Sequence, residues 1–322
     1  MPGARIVSAP LGEDQLVPPE PELATIQFCT PLSERELLRL AAFMREYPSL
    51  GLYVYANSRT APVPDLEFLQ HFSFLHRFRV GRWTVTNLDG LRHLRPSNMT
   101  HLSIGEMLRK RIPLNAVAPF TNLEALSVDG PSPKDFEALT ELRNLRSLYL
   151  RSITVPTLRP LAELLQLRTL TLALGGTTAL DELANVKALT SLELTMIRGL
   201  RDLSVVAEIR SLERLSLRVL KHVTALPSLR PLTRLHEVAL DQMRALRDLG
   251  TVAAAPALRR FSAIDMQGVP PETFAPLVAH PSLESVWIGL GSERANRVIR
   301  AMFPHLSKPA APGPPRDWLR RT

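Results

Sequence analysis

The side chains that could do covalent or acid–base chemistry are few and scattered. One cysteine, Cys29, stands in the apolar run ATIQFC with no histidine near it in sequence. That setting reads as an inert core thiol rather than a nucleophile. A lone cysteine also excludes an intramolecular disulfide framework and a CxxC-type zinc site. The chain contains no HExxH, no GxSxG and no phosphate-binding loop, and Gly289-Leu290-Gly291 lacks the further glycine a dinucleotide loop needs. His76 and His101 fall on adjacent predicted strands without a third ligand, and His280 replaces an expected leucine, which suits a hydrogen-bonded structural role. No catalytic residue, metal or cofactor is expected.

What must position the remaining polar groups is a repeat. Leu75, Met99, Leu123, Leu145, Leu167, Leu189, Leu212, Leu235, Leu258 and Leu283 each open an LxxLxL-like core, 22 to 25 residues apart, making ten units. The alternation inside each core predicts a strand with one face inward. Before it, apolar residues recur every third position, as in Leu158, Leu161 and Leu164, which predicts a short 3-10 or irregular helix. One strand and one short helix cannot bury their own leucines, so neighbouring units must stack into a solenoid.

Residues 63–290 resemble the leucine-rich-repeat family, and the 22-residue LxxLxxLxxLxxLxL unit most resembles the short repeats of the internalin class. The resemblance implies an α/β solenoid: a curved parallel sheet on the concave side, with short 3-10 or irregular helices on the convex side. One feature departs from it. The family's asparagine, three residues after the last strand leucine, is replaced by Trp83, Met107, Pro131, Ile153, Gly175, Ile197, Leu220, Met243, Met266 and Gly291. This ladder is apolar, so the turns must satisfy their backbone groups elsewhere. Bacterial leucine-rich-repeat ubiquitin ligases carry a separate cysteine-bearing helical domain, for which this chain has no room.

An open solenoid end exposes core, so caps are expected. Residues 23–62 read as an α/β cap in which Ser33 and Glu36 form a capping box, opening a helix with Leu37, Leu38, Leu40, Ala41 and Phe43. Leu50, Tyr53 and Tyr55 then imitate the repeat register. Residues 291–306 read as a closing helix with Ala295, Val298, Ile299 and Met302 on one face. Residues 1–22 and the Pro-rich 307–322 read as disordered. No apolar run of about 18 residues predicts a membrane span, the amino terminus has no apolar signal region, and a cytoplasmic setting is expected. Lysine occurs at only five positions against 34 arginines, for a net charge of +8 and a pI near 10.2. With abundant Ala, Leu and Pro, that skew suggests a bacterial, GC-rich coding sequence, so codon bias supplies part of the basic charge.

The informative positions are those the strands turn to the concave side. Several charges there satisfy one another: Glu237 lies between Arg214 and Arg260, Asp129 beside Arg151, and Arg218 beside Asp241. Glu193 stands in the same ladder as Thr171 and Ser216. The first repeat differs, because Arg77 and Arg79 lie between Leu52 and Val54 on one side and His101 and Ser103 on the other, with no carboxylate in either ladder. His76 joins this cluster, and Arg82 can pair with Glu106. Tyr149, between Ser127 and Thr171 and on one strand with Arg151, has the makings of an exposed anchor, and Trp287 is a further candidate. The expected function is a non-enzymatic scaffold binding a protein or peptide through Arg77, Arg79, His101, Tyr149, Arg151, Glu193 and Trp287. The alternative is nucleic-acid or other polyanion binding, suggested by the pI, by Arg109-Lys110-Arg111 and by the basic tail. Against it, aromatic residues do not interleave with the basic ones.

Overall fold

The computed structural model describes residues 3–56, 66–81, 87–105, 111–130 and 133–304. Trp83, the Arg82–Glu106 pair, Met107, Arg109, Lys110, Pro131 and the tail from 307 lie outside them. The chain divides into two units, Met1–Leu150 and Arg151–Pro314. Within each, the strands are parallel and lie side by side in chain order.

The first unit holds β1 (Gly3–Ile6), β2 (Leu23–Phe28), α1 (Glu34–Glu46), β3 (Gly51–Val54), β4 (Arg77–Val80), β5 (His101–Ile104), β6 (Ala125–Asp129) and β7 (Ser147–Arg151), whose last residue opens the second unit. The second unit holds β8 (Thr169–Ala173), β9 (Ser191–Thr195), β10 (Arg214–Arg218), β11 (Glu237–Asp241), α2 (Gly250–Ala253), β12 (Arg260–Ile264), β13 (Ser285–Ile288) and α3 (Glu293–Met302). In all ten repeats the strand begins two residues after the opening leucine or methionine. The leucine register therefore sets the sheet register directly, and Leu170↔Leu192 and Leu215↔Val238 pair core residue against core residue. Inward positions such as Phe78, Leu102, Leu148, Leu192 and Leu215 are buried.

Short 3-10 helices occupy the period-three segments, among them Phe136–Glu141, Arg159–Glu163, Asp181–Asn185 and Ser204–Glu208. The repeat at Leu226, Leu229 and Leu232 forms none. Pro227 and Pro231 there lack the N–H that an i→i+3 bond requires. The next repeat, with its alanine run, forms the α-helical turn α2 instead.

The turn after each strand solves the missing-asparagine problem with backbone. In the second unit Ser152, Leu174, Met196, Val219, Gln242 and Asp265 all have φ between 52° and 60°, left-handed values that are costly for residues other than glycine, asparagine or aspartate. The first five of these residues donate their N–H to the neighbouring repeat, as in Leu174 N→Thr195 O (2.9 Å), Met196 N→Arg218 O (2.9 Å) and Val219 N→Asp241 O (2.8 Å). The next side chain points inward, and Ile153, Ile197, Leu220, Met243 and Met266 are buried. A second ladder precedes the strands. Asn122 Nδ2 donates to Ser97 O (3.0 Å) and Asn144 Nδ2 to Thr121 O (3.1 Å). Ser211 Oγ does the same to Leu189 O (2.8 Å) in the second unit.

One expectation for the ends needs correction, and the capping helices bury fewer of their apolar residues than they carry. Residues 3–22 are ordered: β1 pairs with β2, Val7 and Leu11 are buried, and Arg5 donates to the Val17 carbonyl at 2.5 Å. The sequence hid this because the two apolar anchors are isolated among Pro, Gly and polar residues. In α1 the capping box forms as expected, with Ser33 N donating to Glu36 Oε2 at 2.7 Å, but Leu38 is exposed and Met44 is buried with Leu37, Leu40 and Ala41. In α3 Ile299 is buried, whereas Val298 is 43% exposed.

Candidate functional site

Strands β3, β4 and β5 are only four residues long; β4 and β5 each give two side chains to the outward face, and β3 gives one side chain and a glycine. The observed pairing is Gly51 beside Arg77 and His101, and Tyr53 beside Arg79 beside Ser103. This overturns the expected neighbours of the arginines. Leu52 and Val54 pair with Phe78 and Val80 and are buried. The sequence Gly-Leu-Tyr-Val-Tyr alternates apolar residues on both faces, so either set could have been the core, and a one-residue slip exchanges the faces. The smaller, fully apolar Leu52 and Val54 take the interior, and the tyrosines go outward, half-buried.

The consequence is an aromatic–guanidinium stack that sequence reasoning missed. Tyr53 and Tyr55 stack with centroids 4.9 Å apart and planes 28° from parallel, and Arg79 Cζ lies 4.4 Å from the Tyr53 centroid. At an exposed site such a cation–π contact contributes about 0.5–1 kcal/mol, enough to bias the guanidinium toward one position. Gly81 makes the stack possible, since a Cβ there would fall 2.6 Å from Tyr55 Cβ and 3.0 Å from the Tyr53 hydroxyl. Burial, and then the neighbouring Cys29, push the Tyr55 hydroxyl pKa up. Cys29 is therefore a half-buried hydrogen-bonding group at the end of β2, not a core thiol.

Gly51 leaves an outward position empty. A depression of about 290 Å³, partly open to solvent, lies there among Thr25, Arg77, Arg79, His101 and Ser103. His101 is half-buried, and its Nδ1 lies 2.9 Å from Thr100 Oγ1. Burial first, and then the Arg77 guanidinium, hold its pKa below the ordinary imidazole value against the opposing pull of Glu124. The ring is therefore neutral at neutral pH. Arg77 is itself engaged within the protein, whereas Arg79 forms no ion pair among the described residues. The outward positions of β1 to β5 carry no carboxylate. His76 stands aside, its Nδ1 2.9 Å from the Asn98 carbonyl.

No known family profile matches the sequence, and no curated protein matches it. Solved structures do. An internalin (inlF) of Listeria monocytogenes superposes with a TM-score of 0.57 at 18% identity, over 89% of this chain and 78% of that one. A chain of the Toll–Spatzle complex of Drosophila gives a TM-score of 0.53 at 15% identity, over 89% of this chain and 39% of that one. A second Listeria internalin, inlC2, gives 0.42 at 20% identity, over 70% and 84%. The fold is the leucine-rich-repeat solenoid.

Elsewhere on the outward face of the solenoid, charges pair internally. Arg218 Nε bonds Asp241 Oδ2 at 2.7 Å and Arg260 bonds Glu237 Oε2 at 2.7 Å, exposed enough to be worth about 0.2–1 kcal/mol each. Glu237 does not also bind Arg214, whose Nε is buried without a hydrogen-bond partner. Glu193 accepts from Thr195 Oγ1 (3.1 Å) between Thr171 and Ser216. Trp287 is 37% exposed beside Ser262 on β13. Tyr149 is half-buried on β7, not an open ring, and both it and Arg151 have partners within the protein. His280 ties two loops, with Nε2 2.8 Å from Ala255 O and Nδ1 accepting from Ser282 N. Of the expected site residues, Arg77, Arg79 and His101 come together in the first unit, and Glu193 and Trp287 belong to β9 and β13 of the second. The described residues contain no cluster of three His, Cys, Asp or Glu able to hold a metal, and no helix among them is long and apolar enough to cross a membrane.

Proposed function

We propose that this solenoid is a non-enzymatic scaffold that binds a protein or peptide partner through its outward sheet face, anchored on Tyr53, Arg77, Arg79 and His101. The observation that carries the reading is the Arg79–Tyr53–Tyr55 stack beside a depression whose strands supply no carboxylate. Tyrosine and arginine are the residues that dominate protein interfaces, because each brings large area and defined polar edges at small entropic cost. The groups that could have done acid–base work support a binding role, since Cys29 is hydrogen-bonded to Tyr55 and His280 to loop backbone. We also propose a cytoplasmic setting, consistent with a sequence whose one cysteine can form no intramolecular disulfide and testable by cell fractionation.

The test is a photo-cross-linker at Ser103, on the outward face, compared with one at Leu165, which is 73% exposed on the helical side. A partner captured from native lysate at Ser103 alone, and lost on Arg79→Glu, supports the reading. Capture at Leu165 alone overturns it. A polyanion reading retains one specific support: Arg198, Lys221 and Arg244 occupy equivalent exposed positions in successive repeats and form no ion pairs among the described residues. Steeply salt-dependent retention on a polyanion column that Arg198→Ala and Arg244→Ala reduce, and Arg79→Ala does not, would favour it.

A further inference from the structure

The chemistry of the depression identifies what kind of group fills it; the argument rests on the outward face being the binding surface. Three features converge. Gly51, which has no side chain, lines the recess beside Arg77. Arg79 has one guanidinium face on Tyr53, which leaves its in-plane N–H groups for a planar, two-oxygen acceptor. His101 lies next to Arg77 across the β4–β5 ladder, half-buried and uncharged.

We infer that this recess captures a carboxylate side chain of an acidic peptide segment, and that His101 takes up a proton as it does so, making capture tighter in mildly acidic solution. The charges acting on His101 are Arg77 from β4 and Glu124 just before β6, with Arg79 lining the same recess; its β6 ladder partner, Ala125, is neutral. In the empty site Arg77 and burial oppose a positive imidazole. An incoming carboxylate reverses the balance, because an opposite charge within about 4–6 Å favours the protonated ring. A planar carboxylate matches the in-plane N–H groups that Arg79 presents beside Tyr53 better than a tetrahedral phosphate does.

The experiment uses the full chain and a fluorescein-labelled decapeptide rich in glutamate, with its glutamine counterpart as control, read by anisotropy. The glutamate peptide should bind and the glutamine peptide should not. Because one proton is taken up, affinity should rise about three- to tenfold between about pH 7.5 and about pH 5.5, a range in which glutamate itself stays ionised. His101→Gln should flatten that dependence while retaining binding, and Arg79→Gln should weaken binding at both pH values. Arg79→Lys, which keeps the charge, should keep the pH dependence, and unfolding midpoints verify that each variant is folded. Equal binding of the two peptides, an unaltered pH slope in His101→Gln, or tighter binding of a phosphoserine peptide or a short DNA strand overturns the inference. Cross-linking at Ser103 without any glutamate-peptide binding overturns this inference and leaves the scaffold reading standing.

Discussion

Gly81 and Gly289 occupy the same position in the first and last repeats, yet alanine should have opposite effects at the two. At Gly289 a Cβ meets nothing within 4 Å, so Gly289→Ala mainly restricts the unfolded chain and should stabilise by about 0.4–1 kcal/mol. At Gly81 the same Cβ would fall 2.6 Å from Tyr55 Cβ and 3.0 Å from the Tyr53 hydroxyl. The hydroxyl is the far end of a side chain and can swing away; Tyr55 Cβ is next to backbone and cannot. Overpacking of this kind costs about 1–3 kcal/mol, and subtracting the same unfolded-state gain leaves a net loss of about 0.5–2 kcal/mol. Urea unfolding followed by far-UV circular dichroism measures both variants, and near-UV dichroism reports whether the tyrosines have moved. Similar midpoints for Gly81→Ala and Gly289→Ala, with an unchanged tyrosine signal, would refute the claim that Gly81 exists to seat Tyr53 beneath Arg79.

Val219, a β-branched residue at φ 52°, carries a left-handed cost of about 1–2 kcal/mol against about 0.5–1 kcal/mol of extra backbone entropy lost by glycine, so Val219→Gly should raise the urea midpoint; a fall would mean the turn is not strained. Asn144→Ala removes the amide that ties its loop to Thr121 and should destabilise by about 1 kcal/mol, read by the same unfolding assay, whereas Asn185→Ala, whose exposed amide bonds only the Glu182 side chain, should change little. His101 has a folded pKa below its unfolded value, so the unfolded chain binds the extra proton. Its contribution to stability is therefore present above the ordinary imidazole pKa and is lost as pH falls through that value. Urea unfolding at about pH 7.5 and about pH 5.5 should show His101→Gln losing less stability on acidification than the parent; equal losses would contradict this.

How much of this was legible in the sequence differs from element to element. Leucine is apolar and its repeat neighbours are polar, so the ten registers from Leu75 to Leu283 fix which face of each strand is buried, and the strands start where that register places them. The same contrast is absent in Gly51–Tyr55, where both faces are apolar, and there the reading failed by one residue and hid the stack on Arg79. The left-handed turns were equally invisible, because Leu174, Met196 and Val219 give no sign of a positive φ; the neighbouring repeat's carbonyls hold them there. The pairing of Arg218 with Asp241 and of Arg260 with Glu237 was readable from charge and register alone. The fate of Arg214 was not, since a guanidinium between two ladders can turn to either side.

The central claim is that the outward face at β3 to β5 is where a partner binds. Its most direct test is the affinity of the cross-linked partner for the full chain carrying Arg79→Glu, compared with Arg297→Glu, an exposed arginine on α3 of the second unit. The account predicts a loss of about tenfold or more for Arg79→Glu, on the order of 1.4 kcal/mol, and an unchanged affinity for Arg297→Glu. Equal affinities for the two variants would contradict it.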